Sequence, residues 1–423
     1  MLDGIRKYIN KLGLKISALA GREYVGMSVK EWFNLGDYGY MTDSGMYVDS
    51  ETSRRAGVIF ACIRILGGCI STSPAQVFKR TADGGRELAT NHPQYWKLHA
   101  EPSPMMSAAV LFETFVSHIY LHGNGLILLD RNYGGEVENY YLLDPRQVKI
   151  EQAERRLRYY VPLESGGYRV YDQDDMIHVP NVFVDVKNGK GMAPIDAGAQ
   201  AIGLLLSADR RSAAYLKNSP ASDIALQYPK QMTENLKEEA RKYVREHNAG
   251  INSGSPLILS EGGTAQTLTI DAAKMQLLQA REYQVIEIGS RYFGLPPWLL
   301  GAVEKQTSWG TGIEQMNIGM VAYTINPLTV RIEQEWNRKV FRRSGYFMEH
   351  NLSGLLRGDE KTTVESFKAA IGGNQLPGWM TVNEVRKIRN LPPDTDPESS
   401  KLYRPPVNNG SKDNGQAVDA TQE

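Results

Sequence analysis

Three groups of side chains in this sequence stand at spacings that chemistry uses. His118 and His122 are four residues apart in a stretch with helical periodicity, the separation at which two imidazoles on one helix face hold a zinc ion. Ile119, Tyr120 and Leu121 lie between them, so the glutamate that serves a metalloprotease as general base is missing. Packed or hydrogen-bonded histidines are the expected reading. Asp172, Asp174 and Asp175 resemble a short divalent-cation cluster, of the kind a metal-dependent nuclease uses. They precede a strand-like run at 176–179, and a solvated turn explains them more simply. Cys62 and Cys69 fall in an apolar helical stretch and read as two small buried hydrophobes on one face. Two cysteines make no disulfide framework, and a reducing compartment fits them.

Phosphate-loop and nucleophile-elbow chemistry are missing. No Gly-x-x-x-x-Gly-Lys-Ser/Thr run occurs, which excludes a conventional P-loop ATPase, and no Gly-x-Ser-x-Gly elbow occurs. The glycine pairs at 84–85, 134–135, 166–167, 262–263 and 372–373 lack the strand and helix context of a dinucleotide site and read as turns. Catalysis has no candidate, and neither a metal nor a cofactor is expected.

Lysine plus arginine equals aspartate plus glutamate at 48 each, which argues against a protein that grips nucleic acid by neutralising phosphates. It leaves room for one past which DNA slides. With 423 residues the chain is long enough for several domains. Hydrophobic content of 41% and charged content of 23% are those of a soluble globular protein. No apolar run approaches the length of a membrane span. Arg6, Lys7, Lys11 and Lys15 interrupt the first turns, so no secretory leader is expected.

Residues 1–45 read as a partly disordered arm. Ser50 or Ser53 is placed to cap an apolar helix through 57–66. Short strands with glycine turns follow at 76–79, 126–130, 138–143, 157–162, 167–171 and 176–179, with a second apolar helix at 107–121. Pro194 suits the first turn of a long helix to about Asn218. A small insert comes next, with strands at 224–228, 256–259 and 266–270 around a charged helix from Thr233 to His247. Asp271 opens a second long helix to Phe293. Toward the C-terminus, Thr362 to Glu365 and Thr381 to Glu384 both have the spacing of capping boxes. The polar residues from 405 to 423 read as a disordered tail.

The rest is organised around residues 291–341. Gly294 is the type that closes a helix, and Pro296 and Pro297 force a turn. Trp298, Leu299 and Leu300 form a small apolar patch, and 304–312 is polar without periodicity. Apolar residues return at helical spacing from Ile313: Met316, Met320, Tyr323 or Thr324, Leu328, Ile332, Trp336 and Val340. Pro327 lies inside this helix and is expected to kink it. A helix, a polar loop and a long kinked helix read as a moving part.

In order and spacing, the run Phe293 to Gly301, the polar loop ending near Glu314-Gln315, and Asn326 to Val340 resemble the portal proteins of tailed double-stranded-DNA bacteriophages, in particular the lambda-like long-tailed class. Earlier landmarks follow the same order: residues 58–63, His92-Pro93, Glu101-Pro102-Ser103, 122–125 and 143–148. The resemblance implies an α+β, multi-domain, ring-forming portal fold. Its parts would be an arm (1–45), an α/β wing (46–190), a first stem helix (191–220), a small α/β clip (221–268), a second stem helix (269–293), a tunnel loop with a long kinked helix (294–345), a helical crown (346–404) and the tail (405–423).

It also implies a function. About twelve copies would form a heterologous ring at one capsid vertex, through which double-stranded DNA is packaged and ejected without regard to sequence. Glu304, Lys305, Gln306, Thr307, Ser308, Trp309, Gly310 and Thr311 would form the loop facing the channel. Trp309 is expected to pack back on the helices, and the loop departs from the family's usual Tyr and Asn before the Glu. In the clip, Glu234, Lys237, Glu238, Arg241 and Lys242 would meet the terminase large subunit and later a head-completion or adaptor protein. Major capsid and scaffold proteins complete the implied partners, with no membrane involved. The product would reside in the virion after assembly in the bacterial cytoplasm. The rivals are a metal-dependent nuclease built on Asp172, Asp174 and Asp175, and another ring-forming connector or minor capsid protein.

Overall fold

The computed structural model of the chain describes residues 39–163, 166–218, 224–227, 233–248, 264–267, 271–301, 311–342, 344–356, 360–373, 376–389 and 391–405. Two compact units divide between Leu352 and Ser353.

The first unit opens with a hairpin of β1 (Tyr40–Met41) and β2 (Tyr47–Val48). Asp49 then caps a single turn, α1 (Ser50–Ser53), through a capping box with Thr52, whose N–H donates to Asp49 Oδ1 at 2.6 Å. Neither Ser50 nor Ser53 is therefore the cap expected for the next helix. That helix, α2 (Gly57–Ser71), starts at Ala56 without any side-chain cap. It is followed by β3 (Ala75–Arg80), β4 (Arg86–Leu88), α3 (Pro93–His99) and α4 (Ala108–His122). The helices α2 and α4 pack along their length, burying Ile59, Cys62, Leu66 and Ile70 against a face containing Leu111, Phe115 and Ile119. Cys62 is buried and its thiol is pushed up to about 12 by desolvation, whereas Cys69 is only half-buried. Gly123, at φ +71°, closes α4 in the left-handed conformation that favours glycine.

Six strands come next: β5 (Asn124–Arg131), β6 (Val137–Leu143), β7 (Lys149–Ala153), β8 (Arg156–Pro162), β9 (Tyr168–Asp172) and β10 (Met176–Pro180). They form two antiparallel three-stranded sheets, ordered β10-β5-β6 and β7-β8-β9. A shared apolar core joins them through Leu126, Val148, Ile150, Tyr159 and Met176. Strand β7 went unread in the sequence because its turn carries Glu154 and Arg155 at φ 52° and 64° in place of the glycine that marks such turns.

A short helix, α5 (Pro194–Ala197), breaks at Gly198 before α6 (Ala199–Asn218), so the single helix expected from Pro194 onward is two. The insert contains β11 (Ile224–Gln227), α7 (Glu234–Asn248) and β12 (Thr264–Thr267), with β11 and β12 paired antiparallel. The strand expected at 256–259 lies outside the described residues. The helix α8 (Asp271–Ile286) returns alongside α6, and Arg281 reaches Asp209 at 2.7 Å. After it come α9 (Thr311–Met320), α10 (Asn326–Trp336) and β13 (Tyr346–His350).

Strand β13 pairs antiparallel with β3 in the order β13-β3-β4. This corrects the boundary expected at residue 346: the chain stays in the first unit through Leu352. Met348 and His350 are the buried positions of the strand, and its alternation is too short to stand out in sequence.

The second unit contains α11 (Glu360–Ile371) and α12 (Val382–Ile388). Thr381 and Glu384 form the expected capping box, with the Thr381 N–H donating to Glu384 Oε2 at 2.8 Å. Thr362 lies inside α11, which has already begun two residues earlier.

The core of the first unit centres on Trp336, fully buried among Phe112, Phe115 and Tyr140, with ring centroids 5.6, 5.6 and 6.4 Å away. These partners come from α4 and β6, so one side chain ties three parts of the chain together. Trp336→Ala is expected to lower the unfolding free energy by about 3–5 kcal/mol, read from the denaturant midpoint. A loss under ~1 kcal/mol would show that α10 does not organise this core.

Candidate functional site

The stretch singled out in the sequence is built as a series of interrupted helices. After α8, residues Glu287–Tyr292 wind as a π-helix, a wider turn that often marks functional sites. Gly294, at φ +71°, closes it as expected, and Pro297–Leu300 make a 3₁₀ turn. Glu304, Lys305, Gln306, Thr307, Ser308, Trp309 and Gly310 lie outside the described residues. Thr311 is the first residue of α9, so the polar run is shorter at its C-terminal end than its composition implied.

Between α9 and α10 the residues Val321–Ile325 form a second π-helix, immediately before Pro327. Proline has no N–H, and its ring would press on the carbonyl one turn back. The wider turn accommodates this, and the Asn326 N–H reaches back five residues to the Val321 carbonyl. The Thr329 hydroxyl donates to the Ile325 carbonyl at 2.9 Å. Thr324 Oγ1 donates to the Gly294 carbonyl at 2.6 Å, tying the proline site to the turn that ends the preceding helix. Because of the extra residue, Val321 and Ile325 are buried instead of Tyr323, which is 86% exposed. The outward face of this helix carries Ile318, Tyr323 and Val330.

A third π-helix, Asn337–Phe341, ends α10, and here polar side chains fasten the helix to the sheets. Glu335, nearly buried, holds Lys339 Nζ at 2.6 Å and Arg338 Nη2 at 2.7 Å. Lys339 also donates to the Met176 carbonyl on β10. Desolvation pulls the Lys339 ammonium below the usual lysine value, against the carboxylate of Glu335. Asn337 receives the Met348 N–H at 2.7 Å and donates to the Met348 carbonyl at 3.1 Å, acting as one rung of an additional strand beside β13. Glu333 accepts the His350 N–H at 2.6 Å. Arg331 reaches the Pro180 carbonyl at 3.3 Å.

Behind this anchorage lies a buried polar chain. His178 Nε2 is 3.0 Å from Asn124 Oδ1, which also accepts the Gly191 N–H at 2.9 Å. The amide oxygen is an acceptor only, so Nε2 carries the proton and Nδ1 accepts from the Tyr159 hydroxyl at 3.0 Å. Full burial, with Lys339 as a secondary cause, pulls the imidazole down to about 3. The chain thus runs from α10 through β10 and β5 to the residues just before the first long helix.

Arginines occupy the aspartate group. Arg156 binds Asp172 and Asp174, the latter at 2.9 Å. Arg131 pairs with Asp175 at 3.1 Å and donates to the Lys339 carbonyl at 3.1 Å. Asp175, through Arg131, therefore braces the end of α10, while Asp172 and Asp174 are held by Arg156 of β8. His118 and His122 meet edge to face with centroids 5.7 Å apart. Burial, reinforced by His122, brings His118 down to about 4. Among the described residues no group of three potential ligands is arranged to hold a metal ion. In the insert, Glu234 and Lys237 pair at 3.0 Å, and Glu238 and Lys242 are exposed on the same helix as Arg241.

The anchoring residues Glu335, Lys339, Asn337, His178 and Asn124 were not singled out from sequence. One signal was present: Glu335 and Lys339 stand four apart on the stripe that carries Leu328, Ile332 and Trp336, where a charged residue must be paired or lost to solvent.

The family model described as phage portal protein matches residues 57–390. The portal protein of Enterobacteria phage HK97 is 28% identical over 366 residues, covering 84% of this chain and 83% of that one. The probable portal protein of Streptomyces phage phiC31 is 27% identical over 419 residues, covering 93% and 89%. Among solved structures, the neck of a native gene transfer agent particle, computed with C12 symmetry, superposes with a TM-score of 0.54 at 18% identity, over 87% of this chain and all of that one.

Lys339→Met is expected to destabilise the fold by about 3 kcal/mol, near the low end for a broken buried pair because Arg338 still faces Glu335. The double variant with Glu335→Leu should recover most of that loss in the same denaturation assay. Acid should also act through His178. The unfolded imidazole takes a proton near 6.5 and the folded one only near 3, so this contribution is complete above pH 6.5 and is lost as pH falls toward 3. At pH 5 the loss is about 2 kcal/mol. A stability profile flat between pH 7 and pH 5 would contradict it.

Proposed function

Because the chain belongs to the phage portal protein family, we propose that about twelve copies close into a ring at one capsid vertex, with the loop between Gly301 and α9 facing the axial channel. The match of the family model across residues 57–390 carries this reading. The C12-symmetric neck to which the fold is similar supports the ring and its place between head and tail. Double-stranded DNA enters through the ring during packaging and leaves through it at ejection. The terminase large subunit and later a head-completion or adaptor protein dock on the insert that contains α7. Major capsid and scaffold proteins meet the ring's outer parts during head assembly in the bacterial cytoplasm, and the product remains in the virion. The chain's work is mechanical, and it performs no catalytic step.

The composition of the loop fits passage without grip. Residues 304–311 contain one acid, Glu304, and one base, Lys305. Each phosphate a loop neutralises adds affinity that weakens with salt. A ring carrying many such contacts would hold DNA in place.

Two measurements test this function. Electron-microscopic images of the purified chain down its symmetry axis should show a ring with a central hole, and a monomer or dimer under all conditions would overturn the reading. In packaging reactions, Gln306→Lys with Thr307→Lys and Ser308→Lys should slow DNA passage at low salt and recover at high salt. Equal rates at every salt concentration would remove the loop from the channel.

A further inference from the structure

The two long helices α6 and α8 lie side by side, and their outward faces differ in kind. On α6, Leu204 is 49% exposed and Arg211 is exposed. These two are seven residues apart, close to two turns, so they share one stripe. Both lie well around the helix from Asp209, which faces α8. On α8, Tyr283 is 51% exposed and Glu282 is exposed, with half-buried Ile286 one turn on. Tyr283 and Ile286 point away from α6, and Glu282 sits on the flank. Neither Arg211 nor Glu282 forms an ion pair with another described residue. One outer face is therefore basic and aliphatic; the other joins Tyr283 and Ile286 to the unpaired Glu282, with Arg291 already held by Glu287 at 3.0 Å and donating to the Tyr283 hydroxyl at 3.3 Å.

The levels of these groups along the hairpin also match. Asp209 and Arg281 touch at 2.7 Å and mark a common height. Leu204 lies five residues from Asp209 toward the body of the protein, and Ile286 lies five residues from Arg281 in the same direction. Arg211 lies two residues the other way, and Glu282 one residue toward the body, a height difference of about 4.5 Å at the helical rise. That is within the reach of an arginine side chain. Rotation about an axis running along the hairpin preserves height, so both rungs meet without sliding.

We infer that the α6 face of one copy packs on the α8 face of the next, with Leu204 against Tyr283 and Ile286, and Arg211 against Glu282. The occupant of each face is a second copy of this chain. The contact is heterologous, as a closed ring demands, and it rests on the ring reading above. Opposite charges on the two faces set its direction, since α6 against α6 or α8 against α8 would oppose like charges.

Charge reversal tests it on the full-length chain, with assembly followed by native mass spectrometry and folding by circular dichroism. R211E alone and E282K alone should each fold normally and raise the concentration for half-assembly at least tenfold. The double variant R211E/E282K should assemble like the wild type. An equimolar mixture of the two single variants should also assemble, because every junction in an alternating ring regains one acid and one base. Assembly restored by mixing is a result that a merely local role for either residue cannot produce. Single variants that form rings at wild-type concentrations, or a mixture that stays unassembled, would overturn the contact while the wild-type ring stands. A wild-type chain that remains monomeric at every concentration would overturn the ring reading and this contact with it.

Discussion

The architecture depends on how one helix is held. The helix α10 enters the core with Leu328, Ile332 and Trp336 buried, and it brings Glu335 and Lys339 into the same low-dielectric region. Two charges taken out of water cost more than their mutual attraction returns unless the geometry and further hydrogen bonds are good. Here Lys339 has a carboxylate at 2.6 Å and the Met176 carbonyl, while Glu335 has Lys339 and Arg338. The apolar side chains supply the driving force for docking. The ionic pair determines at which height and rotation the helix docks, because any slip strands both charges.

Such an anchor divides the helical run into a fixed end and a freer one. From Ile325 to Phe341 the chain is bound to β10, β13 and the arginine-braced turn after β9. Toward α9 the contacts thin, and Tyr323 and Ile318 face outward. The π-helix before Pro327 lies at the transition. A wider turn relieves the clash that proline creates, and the bond from Thr324 to Gly294 keeps the two arms of the loop together at this point.

The polar chain through His178 gives the same anchor a second connection. Asn124 accepts from both His178 and Gly191, so the position of β10 and the start of the first long helix are set by one amide group. Its neutral imidazole, held between a hydroxyl and an amide oxygen, is satisfied without charge, as burial requires. The long helices that leave this region expose faces of opposite character, which matches a protein whose working form is an assembly.

Local order was largely legible in the residues themselves. Apolar periodicity marked α2, α4 and α10, the glycine and proline signals marked the turn at Gly294, and Thr381 with Glu384 marked the start of α12. These features depend on neighbours a few residues away, which is the range that spacing reports. Tertiary structure decided the rest. Asp49 displaced the expected serine caps, β13 joined the sheet of β3 across more than two hundred and fifty residues, and the π-turn at Val321–Ile325 rotated Tyr323 out to solvent. It also decided that the aspartates at 172, 174 and 175 meet arginines, and that Glu335 and Lys339 are buried together. In each case the partner lies far away in sequence or the turn departs from regular helical geometry, and a charged or aromatic side chain carries no mark of the partner it will find.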